Sequence, residues 1–310
     1  MTIGIGMGLA RFPFATGKDY FQWAELCELG GLDSIWQTDR LVSREPNLET
    51  LSTMAALAGA TQRIRFGMNV ASIALRDPLL TAKQCATIDY LSGGRLLPAF
   101  GLGSNRSRDF IASGTSTKAR GQKMNEALDI MNRLWTGEEV TFEGKHYQYD
   151  KASIRPCPVQ VPLPLWIGGS SDAAIERTAK YGTGWQASFD TPEEAGVIVD
   201  KILAAAVKQG RSIDIDHFGA GFGVRFGSWD EEPVKKMVAD FEKRTGKQAA
   251  RGLVVGGSDE ILERIQAYVD RGVSKFILRP IGNGDAEMEE QTEQIIEEIL
   301  SKISHLQERR

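Results

Sequence analysis

With 310 residues, 42% of them hydrophobic and 25% charged, the chain has the composition of a soluble globular protein. Its length suits either two domains or one large α/β barrel. A formal charge of −4 and a pI near 5.6 argue against a nucleic-acid surface or an anionic membrane as partner. No apolar run approaches a membrane span, and the first residues lack the basic region and cleavage site of an export signal. Cys27, Cys85 and Cys157 are isolated, which suits a reducing compartment, so a cytoplasmic protein is expected. His146, His217 and His305 are equally scattered, and no Cys/His cluster has metal-ligand spacing.

Thr2–Leu9 reads as a first strand, followed by an amphipathic helix over Lys18–Leu29. Leu32–Gln37 is strand two, ending in the polar Thr38-Asp39-Arg40. Asn47 is placed to cap a helix over Leu48–Ala60. Ile64–Val70 is strand three, Pro78–Leu91 a helix with proline in its first turn, and Arg95–Leu102 strand four. A loop to about Lys118 precedes a helix marked by Met124, Leu128, Met131 and Leu134. Thr141–Tyr149 predicts a hairpin, and Ile154–Pro164, with four of the chain's 11 prolines, an extended connector.

Leu165–Gly168 is strand five, Asp172–Tyr181 a helix and Gly184–Ser188 strand six. Thr191 caps a helix to about Lys208, and His217–Phe226 is strand seven. Helices near Pro233–Thr245 and Asp259–Arg271 precede strand eight, Lys275–Arg279. A charged helix, Asp285–Leu306, ends the chain. Eight strands alternating with helices predict a (β/α)8 TIM barrel. It carries a small insertion before strand five and an extra helix before strand eight. Without a linker or an internal repeat, residues 1–310 are taken as a single domain.

In such a barrel the strand C-terminal ends face the active site. They carry Asp39/Arg40, Asn69–Ser72, Ser104–Arg106, Gly169–Ser171, Gln186, Arg225 and Arg279. Two ends share one construction: Ala99-Phe-Gly-Leu-Gly-Ser-Asn-Arg106 and Trp166-Ile-Gly-Gly-Ser-Ser-Asp172 are an apolar strand, glycines, then polar residues. Backbone N–H groups in such turns form anion nests, so one phosphate site built from two loops is expected. Ser170 and Ser171 equally suit the N-cap of the next helix. Arg106 occupies the third glycine position of a dinucleotide fingerprint, which weakens a nicotinamide reading.

These residues carry a resemblance. Gly31-Leu-Asp-Ser-Ile-Trp36 with Asp39-Arg40-Leu41, Arg76-Asp-Pro78, and Asp89-Tyr-Leu-Ser-Gly-Gly-Arg95 running into Phe100-Gly-Leu-Gly-Ser104 stand in order. Pro164-Leu-Trp-Ile-Gly-Gly-Ser170, Tyr181-Gly-Thr-Gly-Trp185 and Gly272-Val-Ser-Lys-Phe276 ahead of Arg279-Pro280 follow. Together they resemble the luciferase-like monooxygenases, the flavin- or F420-dependent barrels related to bacterial luciferase. The resemblance implies a homodimer with the cofactor across the C-terminal face of the barrel. It also implies a non-proline cis peptide between Asn69 and Val70 that supports the cofactor ring. Ser104, Asn105, Arg106, Gly168, Gly169 and Ser170 inherit the phosphate, and Asp39 matches an acid near the ring.

Two departures bear on the chemistry. Many members have histidine after that acid, where this chain has Arg40, which stays protonated and cannot act as a general base. Some deazaflavin enzymes carry a glutamate where Arg106 stands. Both favour an FMN-dependent monooxygenase, with Asp39 and Arg40 as catalytic residues, a small organic substrate and O2 as co-substrates, and a separate flavin reductase as partner. The alternatives are F420-dependent hydride transfer and a non-catalytic flavin-binding protein. Phe12, Phe14, Trp36, Ile73 and Trp185 are candidates for an apolar lining.

Overall fold

The computed structural model describes residues 2–308, without the side chains of Ser304, His305, Gln307 and Glu308. Eight barrel strands lie in one parallel sheet. They are Gly4–Leu9, Ser34–Gln37, Arg65–Met68, a fourth made of Leu96–Leu97 and Ala99–Gly101, then Trp166–Gly168, Gly184–Gln186, Phe218–Phe226 and Lys275–Pro280. Strand one lies between strands eight and two, and pairing continues to strand three one way and through seven and six to five the other. Both paths end on strand four: Leu96 and Leu97 pair with strand three, Ala99 and Phe100 with strand five. The sheet therefore closes into the expected barrel, with Pro98 at the seam.

The strands alternate in what they offer each face. Ile5, Met7, Phe66, Phe100, Ile167, Phe222 and Leu278 join the apolar faces of the helices in one buried cluster. The inward face is largely glycine. A Cβ on Gly67 would lie 2.7 Å from Cζ3 of Trp36, and one on Gly184 2.9 Å from Cδ2 of Trp166. The missing side chains make room for these two indoles, which meet edge to face with centroids 6.0 Å apart. With Leu97, Ala99 and Ile277 they plug the barrel at mid-height.

The helices match expectation closely where capping is explicit. Asp172–Tyr181 is found as predicted, and Thr191 heads Pro192–Lys208 in a capping box with Glu194. Asn47 is not a cap: the helix begins at Thr50, and Glu49 accepts from the Ser52 N–H at 2.7 Å. The hairpin, Val140–Glu143 with Gln148–Ala152, precedes strand five. The segment before strand eight contains more than a helix. Between Glu232–Thr245 and Ser258–Val269 lies a further strand, Leu253–Gly256, parallel to the end of strand seven. Its four residues are too few to show a period. Among the described residues no helix is long and apolar enough to cross a membrane.

Candidate cofactor and substrate site

The Asn69–Val70 peptide is cis. Beyond it Ala71 and Ser72 pair with Phe100 and Gly101, carrying the chain from strand three to the end of strand four. Val70 wedges between strands four and five. A Cβ on Gly101 would sit 2.8 Å from its Cγ2, and one on Gly168 2.9 Å away. Glycine at both strand ends is thus required by Val70.

The two glycine-rich loops leave adjacent strands, so they face one another across the rim. Ser104, Asn105 and Arg106 are exposed, and the Ser104 hydroxyl accepts from the Arg106 N–H at 3.1 Å. Arg120 donates to the Gly103 carbonyl at 2.7 Å and holds the loop's start. Gly169 has φ +114°, and its carbonyl accepts from the Trp185 indole at 2.7 Å. Ser171 is the N-cap of the next helix, its Oγ accepting from the Ala174 N–H. Ser170 instead donates to the Asp190 carboxylate at 2.6 Å. That carboxylate disfavours an anion at the Ser170 hydroxyl. The backbone N–H groups and Arg106 are better suited to a phosphate.

Asp39 is 8% exposed and fully engaged. Its Oδ2 accepts from the Ser72 N–H at 2.9 Å and Arg76 Nη1 at 2.8 Å, and its Oδ1 from Arg76 Nη2 at 2.6 Å. Arg76 is held above the usual arginine range: burial works against its charge, and the bonds from Asp39 and Glu49 outweigh it. Arg40 points elsewhere, with Nη1 3.9 Å from Asp109. Asp109, 4% exposed, also accepts from the Leu41 and Val42 N–H groups, which ties the strand-two loop to the strand-four loop. The structure thus separates Asp39 from Arg40 in role, and adds Asp109.

Gln186 and Arg279 stand out among the strand ends. Gln186 is 3% exposed, and neither its amide nitrogen nor its oxygen has a partner among the described residues. It lies level with Gly168 on the inward face, its Oε1 2.5 Å from the position of a Gly219 Cβ. A buried amide left unpaired costs about 1–3 kcal/mol per group, so this side chain could receive a polar ligand. Arg279 reaches inward over Gly8 and donates to the Gly221 carbonyl at 2.8 Å, with no ion pair among the described residues. Arg225 differs in being neutralised by Glu231 and Glu287. Desolvation, and then neighbouring Arg244, push Arg279 down to about 10, still a cation at neutral pH. Arg244 is lowered by burial and by Arg40. Its helix, Glu232–Thr245, docks on the mouth through Phe241 and Phe189, whose ring centroids are 5.0 Å apart.

The expected apolar lining disperses. Phe14 packs against Tyr20 and Trp23 outside the barrel, with Phe12 at its edge. Ile73 joins the helix-facing core, Trp185 props Gly169, and Trp36 plugs the barrel. His217 lies at the opposite end of the barrel, and His146 faces Gln122 beside the hairpin.

A closed parallel barrel with a cis peptide after strand three has the architecture of the luciferase-like oxidoreductases. The family model described as luciferase-like monooxygenase matches residues 13–245, and the chain belongs to that family. An uncharacterized protein of Mycobacterium tuberculosis is 32% identical over 171 residues, covering 54% of this chain and 57% of that relative's length. An F420-dependent glucose-6-phosphate dehydrogenase of Nakamurella multipartita is 27% identical, covering 88% of this chain and 91% of its own. Among solved structures, the monooxygenase RslO1 of Streptomyces bottropensis superposes with a TM-score of 0.81 at 19% identity, covering 98% of this chain and 100% of that one. Two chemistries thus stand among these similar proteins, an F420-dependent dehydrogenase and a monooxygenase.

Proposed function

We propose that the protein is a monooxygenase that takes reduced FMN from a separate reductase and oxidises a small organic substrate with O2. The observation that carries this reading is the set of charges at the barrel mouth. Arg40, Arg244 and Arg279 are cations there, and neither His146 nor His217 is near. Removing a hydroxyl proton for hydride transfer needs a base of suitable pKa, and a guanidinium is not one.

When bound, reduced flavin supplies two electrons to oxygen chemistry. Val70 supports the ring, the unpaired Gln186 amide answers its polar edge, and Arg106 with the backbone at Gly168, Gly169 and Ser104–Arg106 takes the phosphate. Arg40 and Arg279 stabilise negative charge developing near the ring and orient an anionic substrate group. Asp39 acts through Arg76 and the Ser72 N–H, fixing the segment after Val70. The second reading, F420-dependent hydride transfer, draws on the sugar-phosphate dehydrogenase relative and would need a carboxylate such as Asp109 as the base.

The test is titration with FMN and with F420, followed by fluorescence quenching. Saturable FMN binding is expected, weakened about tenfold by Arg106→Ala and by Gln186→Leu, and little changed by Ser170→Ala. Binding of F420 with no response to FMN overturns this reading in favour of the second.

A further inference from the structure

At the N-terminal end of the barrel, away from the proposed cofactor site, lies a partly enclosed cavity of about 240 Å³. Its polar lining comes from the bases of the strands: Asp33 before strand two, Arg65 opening strand three, Lys275 opening strand eight and His217 before strand seven. Its aromatic wall is Trp36 and Trp166, the pair that plugs the barrel and separates this cavity from the mouth.

Most of the polar groups here have partners, and the exceptions define a ligand. Asp33 pairs with Arg65 and accepts from the Ser34 hydroxyl. The remaining charge is Lys275: its Nζ and the Asp33 carboxyl carbon lie 3.0 and 3.1 Å from one point, the position of a Gly4 Cβ, yet Lys275 makes no ion pair among the described residues, Asp33 being paired with Arg65. Trp166 is 2% exposed and its indole N–H has no acceptor among the described residues. His217 turns Nδ1 to the Thr183 carbonyl at 2.9 Å, its Nε2 has no hydrogen bond among the described residues, and its ring lies 5.8 Å from that of Trp166. With one carboxylate against two fixed cations, the lining carries one net positive charge.

A cavity of roughly 150 Å³ takes a benzene ring, and drug-sized ligands need roughly 300 Å³ or more. The present volume falls between them. We propose that this cavity is a second binding site, for a single-ring aromatic monocarboxylate. The ring lies against Trp36 and Trp166, and the carboxylate takes Lys275 and the Trp166 N–H. Such a ligand gives the buried indole N–H the acceptor it lacks and balances the charge.

The probe is benzoate, with benzyl alcohol as its neutral counterpart, measured by calorimetry and by ligand-observed NMR on the full chain. One benzoate is expected per chain, with benzyl alcohol at least tenfold weaker. Lys275→Met should weaken benzoate at least tenfold and Trp166→Phe severalfold, whereas Arg279→Met at the other end leaves it within twofold. Lys275→Gln keeps the test usable if the methionine variant folds poorly. No benzoate binding at millimolar concentration overturns the proposal. So does equal binding of benzyl alcohol, or loss through Arg279→Met with none through Lys275→Met.

Discussion

Replacing Arg76 by alanine leaves Asp39 buried with a backbone donor and no counter-charge. Removing one partner of a buried ion pair typically costs about 3–5 kcal/mol. Arg76→Ala is therefore expected to lower the urea midpoint by that equivalent, and adding Asp39→Asn to recover part of it, because a neutral amide is easier to bury. An unchanged midpoint in Arg76→Ala would contradict the pair's role. Gly168→Ala drives a methyl group against Val70, with both Cγ atoms within 3.1 Å. Overpacking of this kind costs about 1–3 kcal/mol, and FMN titration of Gly168→Ala should show at least tenfold weaker binding. At this scale Asp39 was legible as a strand-end acid, while its commitment to Arg76, 37 residues onward, was not. Gln186 was visible as a strand-end residue, but nothing in its neighbours announces an unpaired amide.

Helices whose first turns carry their own caps were placed nearly to the residue. Thr191 and Glu194 satisfy each other's N–H groups locally, so the signal lies within four letters of sequence. The strand Leu253–Gly256 depends instead on a neighbour 30 residues earlier, Gly223, and has no local signature. The helix before it, Glu232–Thr245, is tied to the mouth through Glu231. Its carboxyl is held below 4.5 by the Ser228 N–H and then by Arg225. A folded pKa below the unfolded one stabilises the protein above about pH 4.5 and loses that contribution as pH falls through the folded value. Glu231→Gln should melt below the wild type at neutral pH, with the difference shrinking as the pH is taken down below the ordinary carboxylate range. A constant difference across that range would rule out this linkage.

Across the molecule, Arg95 joins three elements at the N-terminal end. It donates to the carbonyls of Ser92 at 2.8 Å, Ile64 at 3.0 Å, Ala58 at 3.0 Å and Thr61 at 2.8 Å. The Leu-Ser-Gly-Gly-Arg segment that carried the family resemblance is thus a structural fastening on the floor of the barrel. The fold was legible because alternation of strands and helices runs the length of the chain. Closure through a broken fourth strand was not, since it depends on which half of that strand each neighbour meets. The expected homodimer has a candidate face. Leu80 and Leu91, 58% and 66% exposed, lie three helical turns apart on Pro78–Ser92. Light scattering should give a dimer for the wild type and a monomer for Leu80→Glu with Leu91→Glu; an unchanged mass excludes that face.

The indole pair at mid-barrel is also a bulkhead. Leu97 and Ile277 thicken it, but the inward positions around it at Gly6, Gly67 and Gly184 have nothing to extend into a gap. Cutting Trp166 back to glycine would bore a shaft along the axis, joining the floor to the rim. Small gases and water would then reach the upper chamber from below, bypassing whatever closes over it. An enzyme that must keep solvent from a reactive cofactor has reason to maintain that partition with two of the chain's six tryptophans.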